Sequence, residues 1–207
     1  METVSNLESL DTNTLKLILK NALEEKREKA QGDFIKFVKT VWPEFVEGKH
    51  HKIYAEKLNR IANGELKRLI VNMPPRHTKS EFASHLFPAF FMGRHPKAKL
   101  IQTTHTGELA IRFGRKAKNL IESEEYNSVF PDVTLAADSK AAGRWESNHK
   151  GEYFAAGVGG AITGRGVTLR MVYFWSTSAF TTWRRDCFSH DTLVSKGSHW
   201  QVARGPG

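Results

Sequence analysis

The feature that most constrains this sequence is a strand-loop-helix pattern that occurs twice in succession. The first copy is a short apolar run at residues 69–71, a turn with two prolines and the helical stretch SEFASHLFPAFFM. The second copy joins a predicted short strand at residues 99–102 to the helical stretch GELAIRFGRKAKNLI. Two such units in a row fold most economically as parallel strands with crossover helices. The pattern therefore predicts an α/β fold.

The residues before this pattern carry apolar side chains at helical spacing. Leu15, Ile18 and Leu19 belong to the first of three helical stripes. We therefore predict a helical segment at residues 1–65, followed by an α/β core at residues 66–166. Within that core, residues 133–136 and 153–156 have the composition of short strands, and a glycine-rich loop follows.

Charge and hydropathy limit the partners and the location of the protein. The net charge of +9 suits a polyanionic partner such as nucleic acid, although a solvated basic surface has the same composition. No apolar run is long enough to span a bilayer, and the first residues lack the basic-then-apolar order of a secretory signal. The single cysteine, Cys187, cannot form an internal disulfide. We therefore expect a cytosolic protein that does not enter membranes.

The loop VNMPPRHTKSE has the layout of a phosphate-binding loop. In the pattern G-x-x-x-x-G-K-[ST], the lysine reaches the β- and γ-phosphates and the next hydroxyl binds magnesium. Lys79 and Ser80 fit these roles, whereas Met73 and Thr78 stand where the pattern has glycine. The loop must then approach a phosphate through its shape rather than through glycine. The alternative is an ordinary turn before a surface helix, with Lys79 in solvent.

The residues around this loop resemble the N-terminal ATPase domain of the large terminase subunit of tailed phages. That family commonly has a loop that reads PPR, two further residues and then KS, as the segment MPPRHTKSE does here. The likeness continues through DSKAAGRWESNHKGEYFAAGVGGAITGRG and covers residues 34–166. It implies a three-layer P-loop NTPase sandwich with a helical lead-in, incomplete at its C-terminus. Its ligands would be ATP and Mg²⁺.

The resemblance also implies a biological setting. Intact members of the family use ATP to drive double-stranded DNA into procapsids and then cut it with a C-terminal nuclease. The partners would be double-stranded DNA, the small terminase subunit, the portal and other copies of the chain. The location would be the host cytoplasm, with no membrane.

By the same resemblance, several residues acquire expected roles. Arg76, His77, Thr78, Lys79 and Ser80 would surround the triphosphate, with Ser80 on the magnesium. Residues 48–51 would lie near the adenine, where His50 or His51 is the contact, although such histidines more often cap a helix. Thr103, Thr104 and His105 end the second strand, at a ligand-facing edge or in a simple turn. Arg165 is either an arginine finger for a neighbouring subunit or a plain loop residue.

The resemblance stops after residue 166. The family continues there with an apolar strand that ends in paired acids, which hold magnesium and polarise the attacking water. In this chain the only acids beyond residue 166 are Asp186 and Asp191, and neither follows an apolar strand. We therefore expect that the chain lacks ATP hydrolysis and nuclease activity.

Three interpretations of residues 167–207 remain open. A one-base frame change would turn Met171 into tryptophan and the tryptophans at 175, 183 and 200 into glycine, and the shifted text resembles the family's downstream segment. This favours out-of-frame translation and a poorly ordered tail. The segment CFSHDTLV resembles the first block of an intein, which is the second interpretation. The third is an ordinary β-rich extension.

Two classes of function are compatible with these observations. The first is the ATP-binding motor domain that the resemblance implies. The second is a non-catalytic remnant that binds DNA or docks on motor subunits through its helical lead-in. A fragment of a superfamily-two helicase would need an Asp-Glu pair at a strand end, which this sequence lacks.

Overall fold

A computed structural model of the chain describes residues 11–74, 76–139, 141–158, 166–173, 192–196 and 199–203. Within them, α-helices and a mixed four-stranded sheet make an α/β fold. The helices in chain order are α1 Thr12–Gly32, α2 Phe34–Val41, α3 Lys49–Ala62, α4 Phe87–Arg94, α5 Gly107–Ile121 and α6 Glu124–Val129. The strands are β1 Ile70–Asn72, β2 Lys99–Thr104, β3 Arg144–Glu146, β4 Glu152–Gly157, β5 Leu169–Tyr173, β6 Thr192–Lys196 and β7 His199–Ala203.

The lead-in contains three helices where the apolar spacing predicts them. Asp33 separates the first two, because its carboxylate accepts hydrogen bonds from the backbone N–H groups of Ile35 and Lys36 at 2.8 and 3.2 Å. The apolar stripe of α1 does not pack against the described body, since Ile18 and Leu19 are 47% and 61% exposed. Ala30 is the buried residue of α1. Only the C-terminal end of α1 is therefore anchored to the core.

The main sheet has the strand order β3-β4-β2-β5. Strand β2 pairs in parallel with β4 and β5, and β3 runs antiparallel to β4. Five of the six residues of β2 are buried, as expected for a strand with neighbours on both sides. The parallel pairing predicted between β1 and β2 is not found, because β1 belongs to a separate sheet with the order β1-β6-β7.

Helix α5 is the crossover between β2 and β4, and it covers the predicted stretch GELAIRFGRKAKNLI. Thr106 begins it by accepting a hydrogen bond from the backbone N–H of Leu109. Ala110, Phe113 and Ala117 form its buried stripe. The helix lies close to the sheet at Gly114, where an added Cβ would be 2.9 Å from the ring of Tyr153 in β4 and 2.4 Å from the carbonyl oxygen of Ala142.

The two further strands predicted from the sequence have different outcomes. Residues 133–136 do not form a strand, and Leu135 makes only an isolated bridge to Ser147. The strand predicted at residues 153–156 is part of β4. Strand β5 lies within residues 167–207, and it enters the main sheet beside β2. The frame change proposed for that segment concerns the gene and stays a prediction.

The core joins the lead-in to the helices of the α/β unit through aromatic rings. Phe34 of α2 is fully buried, and its ring lies 5.2 Å from that of Phe82, 5.6 Å from Phe87 and 5.4 Å from Phe90. Most of these pairs meet edge to face, the favoured arrangement for aromatic rings.

Across the described residues, no helix is both long and apolar enough to cross a membrane.

Candidate functional site

The candidate site is the segment between β1 and the helix that follows it, residues 73–80, named here the phosphate loop. Met73 is buried at its start, Arg76 and His77 are exposed, and Pro75 lies outside the described residues. The backbone becomes helical at Lys79 and Ser80 and stays helical to Arg94; residues 79–94 are named here the loop helix. Lys79 and Ser80 therefore stand at a helix N-terminus, where unpaired N–H groups favour an anion.

The loop helix opens with a π-helical turn, Glu81–Leu86, before it continues as α4. The backbone N–H of Phe87 donates to the carbonyl of Phe82, five residues earlier. Pro88 has no N–H to give to the carbonyl of Ser84, and its ring crowds that carbonyl, so a wider turn accommodates it. The regular α-helix predicted for this stretch is therefore only partly formed.

The backbone of the phosphate loop adopts an uncommon conformation at two residues. Arg76 has φ 64° and Thr78 has φ 56°, both in the left-handed region that favours glycine. For a β-branched residue such as Thr78, this conformation costs on the order of 1–3 kcal/mol. Thr78 stands where the phosphate-loop pattern has its second glycine. The chain thus forms the turn that glycine would normally provide, and does so with a threonine.

Lys79 reaches back across the loop. Its Nζ donates to the carbonyl of Met73 at 3.4 Å, so the ammonium lies against the loop backbone. Burial lowers the pKa of Lys79, because the charged form is partly removed from water. A bound anion would offset this loss of solvation. The lysine is thus positioned to contact a phosphate placed over the loop.

His51 connects α3 to the phosphate loop. Its Nδ1 accepts from the backbone N–H of Gly48 at 2.9 Å, and its Nε2 lies 2.6 Å from Oγ1 of Thr78. The Thr78 hydroxyl donates to the carbonyl of His77 at 2.7 Å. Burial, together with a smaller effect of the nearby His50, lowers the pKa of His51 to about 4, so the ring is neutral near pH 7. Both ring nitrogens are therefore engaged within the protein.

His50 lies over His51, with the ring centroids 3.8 Å apart, and 5.5 Å from the ring of His77. Burial and the charge of His77 lower the pKa of His50. The ring of His50 is only partly buried. Of the two histidines predicted near an adenine, His50 thus has the greater access to a ligand, and that role stays a prediction.

An acidic residue that sequence reasoning missed follows the phosphate loop directly. One carboxylate oxygen of Glu81 pairs with Nδ1 of His85 at 2.9 Å and the other with Nζ of Lys116 at 2.6 Å. The hydrogen bond from His85, helped by Lys116, lowers the pKa of Glu81 to about 2. The contact with His85, four residues further along the same helix, could have been predicted from the sequence spacing. The contact with Lys116 could not, because Lys116 belongs to α5, 35 residues away. The carboxylate stays ionised and ties α5 to the loop helix.

The end of β2 holds the predicted residues Thr103, Thr104 and His105. Thr104 is buried, and its hydroxyl donates to the carbonyl of Thr106 at 2.6 Å. The hydroxyl of Thr103 is buried without a hydrogen-bond partner among the described residues. His105 is exposed. Neither threonine makes a described hydrogen bond to the phosphate loop.

Two further predictions concern the arginine finger and the magnesium ligand. Arg165 lies outside the described residues, so its role as a finger stays a prediction. No group of three or more His, Cys, Asp or Glu side chains in the described ranges is arranged to hold a metal ion. The hydroxyl of Ser80 is the one predicted magnesium ligand. A magnesium there would take its other ligands from phosphate oxygens and water.

A second feature is a cleft of about 800 Å³ at the start of β2, the end opposite Thr104. It is named here the basic cleft, because five of its lining residues are Lys67, Arg94, His95, Lys97 and His149. None of the described lining residues is an acid. Arg94 is oriented by Asn63, whose Oδ1 accepts from its Nη1 at 2.9 Å. Lys67 and Lys97 are exposed and pair with no described carboxylate.

Comparison with known proteins does not assign this chain to a family. No protein-family model, no curated protein and no solved structure matches this chain. A proposal of function therefore depends on the geometry of the phosphate loop and on the sequence resemblance.

Proposed function

We propose that this chain is the ATP-binding part of a phage DNA-packaging motor of the large terminase subunit type. The observation that supports it is the left-handed Thr78 followed by Lys79 and Ser80 at the start of a helix. This is the turn that the phosphate-loop pattern needs, at the position where the pattern has glycine. The corresponding fold is a three-layer P-loop sandwich that is incomplete at its C-terminus.

The proposed ligand is ATP with Mg²⁺. Lys79 binds the β- and γ-phosphates, because its ammonium already lies over the loop. Arg76 is exposed beside it and adds a second positive charge. Ser80 holds the magnesium through its hydroxyl. His77 and Thr78 complete the triphosphate contacts through their backbone N–H groups, and His50 is the candidate contact for the base.

The chain binds nucleotide and does not hydrolyse it at a useful rate. Hydrolysis needs a carboxylate that positions the attacking water or a second metal ligand. The described residues beyond 166 include no acid. Glu81 is the nearest carboxylate along the chain, and its two oxygens are held by His85 and Lys116.

Calorimetric titration with Mg-ATP tests this function. The wild type should bind, and Lys79→Ala should weaken binding at least tenfold, which is about 1.4 kcal/mol. Lys36→Ala is the matched control, because Lys36 is an exposed lysine on α2. Equal affinities of wild type and Lys79→Ala would contradict the proposal.

The proposed partners are double-stranded DNA, the small terminase subunit, the portal and further copies of the chain. The proposed location is the host cytoplasm.

The basic cleft favours a second candidate function, a non-catalytic module that binds double-stranded DNA. The cleft has three cationic side chains, Lys67, Arg94 and Lys97, and no described acid, which suits the phosphate backbone of DNA. Phe91 in the described lining is buried and offers no base-stacking surface. Lys67→Glu with Lys97→Glu should then lower DNA affinity and reduce the salt slope by about two. Lys36→Glu with Lys39→Glu is the control. DNA binding without measurable ATP binding by the wild type would favour this candidate.

A further inference from the structure

We propose that His51 is a positioning residue, which holds Thr78 in the left-handed conformation that the phosphate loop needs and so replaces the missing glycine. That the ligand is a triphosphate rests on the proposed function. The contact between His51 and Thr78, named here the clamp, belongs to the folded chain and does not depend on the ligand. His51 then acts on the phosphates through Thr78 and does not contact the base.

The need for a clamp follows from the side chain at position 78. Glycine adopts a positive φ without a steric penalty, whereas a β-branched residue rarely does. Thr78 nevertheless has φ 56° in this loop. A conformation of this kind persists only where surrounding contacts determine it. The contact that reaches the Thr78 side chain from another element is the one with His51.

The hydrogen bonds that join the two residues form a chain with one direction. The backbone N–H of Gly48 donates to Nδ1 of His51, so the ring proton lies on Nε2. Nε2–H then donates to Oγ1 of Thr78, 2.6 Å away. The Thr78 hydroxyl gives its own proton to the carbonyl of His77 at 2.7 Å. Each donor finds one acceptor, and the hydroxyl of Thr78 both accepts and donates a hydrogen bond.

The ring of His51 is itself fixed. It is 6% exposed, and its centroid lies 4.8 Å from that of Phe45 and 5.3 Å from that of Phe82. His50 lies against it as well. Gly48 and His51 belong to the start of α3, so the clamp fixes the phosphate loop relative to that helix. A base contact would need a ring nitrogen or an open ring face, and these packed neighbours leave neither.

A double-mutant cycle with inorganic tripolyphosphate and ATP tests the clamp. His51→Phe keeps an aromatic ring and removes the donor, so it should weaken binding of both ligands about tenfold. In the Thr78→Gly background, the same substitution should change affinity less than twofold, because glycine needs no clamp. His51→Gln, which keeps an N–H donor, should restore part of the affinity. Equal losses in both backgrounds, or a loss for ATP alone, would overturn the proposal.

Nuclear magnetic resonance on the unliganded protein tests the clamp independently of any ligand. The wild type should show His51 protonated at Nε2 and a strong amide-to-Hα contact within Thr78, which marks a positive φ. In His51→Phe, that contact should weaken while the rest of the spectrum stays folded. A wild type with the proton on Nδ1, or with a negative φ at Thr78, contradicts the inference. If the clamp is present and no triphosphate binds, the proposed function fails and the inference about the loop stands.

Discussion

At the scale of single residues, the phosphate loop combines a buried neutral histidine, a strained threonine and a partly desolvated lysine. His51 is neutral because burial lowers its pKa, and its neutral form is the one that accepts from Gly48. Lys79 has lost part of its hydration and lies over the loop backbone. A bound anion would offset the hydration that the ammonium of Lys79 has lost.

The pKa of His51 predicts a dependence of stability on pH. The folded-state pKa is about 4 and the ordinary value is 6.5, so the unfolded chain takes up this proton first as the pH falls. The contribution of His51 to stability is complete above pH 6.5 and is lost between pH 6.5 and 4. Denaturant unfolding at pH 7 and pH 4.5 should show a smaller loss of stability in His51→Gln than in the wild type. Identical losses would mean that His51 is not buried in neutral form.

The loop also shows what sequence reasoning can and cannot reach at this scale. Lys79 and Ser80 were placed at a helix start, because the loop pattern and the following apolar stretch are local signals. The bond from His51 to Thr78 spans 27 residues, and the ion pair of Glu81 with Lys116 spans 35. Such contacts depend on how helices pack, which no local pattern specifies. The sequence therefore predicts that Lys79 and Ser80 begin a helix, but it does not predict which residues of other elements contact the loop.

At the scale of elements, the local signals were strongest for helices. The bounds of α5 follow from the cap at Thr106 and a continuous apolar stripe, both of which are visible in the sequence. Strands were harder, because pairing is decided by partners far along the chain. Residues 133–136 have strand composition but make a single bridge, whereas β3 pairs with β4 and was not predicted. Strand β5 was also missed, because its segment follows a change in composition.

The contact between α2 and the loop helix should carry much of the stability of the fold. Phe34 is fully buried among the rings of Phe82, Phe87 and Phe90. Phe34→Ala should lower the free energy of unfolding by about 3–5 kcal/mol, because it leaves a cavity in an aromatic core. Leu17→Ala is the control, because Leu17 is 58% exposed. Its substitution should change the free energy of unfolding by no more than about 0.5 kcal/mol. Chemical denaturation measures both, and similar values for the two variants would contradict the packing.

The close approach of β4 to α5 predicts a second effect on stability. A Cβ at Gly157 would lie 2.6 Å from the backbone nitrogen of Gly107, so the helix start would have to move. Gly157→Ala should therefore destabilise the protein by about 1–3 kcal/mol. At Gly32, where an added Cβ meets nothing within 4 Å, the same change should be neutral or slightly stabilising. Thermal unfolding of the two variants compares them, and a neutral Gly157→Ala would contradict the described contact.

At the scale of the whole molecule, the proposed phosphate loop and the basic cleft lie at opposite ends of the loop helix. The loop helix runs from one to the other, since Lys79 is at its start and Arg94 at its end. The net charge of +9 is consistent with binding of polyanions at either place. The two candidate functions can therefore be separated by substitutions that affect one site and spare the other.

The whole chain is expected to bind ATP without turning it over. Phosphate release from Mg-ATP by the wild type should equal that of Lys79→Ala, because the acids beyond residue 166 are Asp186 and Asp191 and neither follows an apolar strand in the sequence. A steady-state phosphate assay, with and without double-stranded DNA, measures this. Phosphate release by the wild type well above that of Lys79→Ala would show that a catalytic acid is present after all.

The most direct test of the central claim is to map Mg-ATP on the backbone amides by nuclear magnetic resonance. If the phosphate loop holds the triphosphate, the amide signals of residues 76–80 should shift together and saturate, and Lys79→Ala should remove the shifts. The signals of Lys67 and Lys97 in the basic cleft should stay unchanged. Shifts confined to the basic cleft, or none at residues 76–80, would contradict the account.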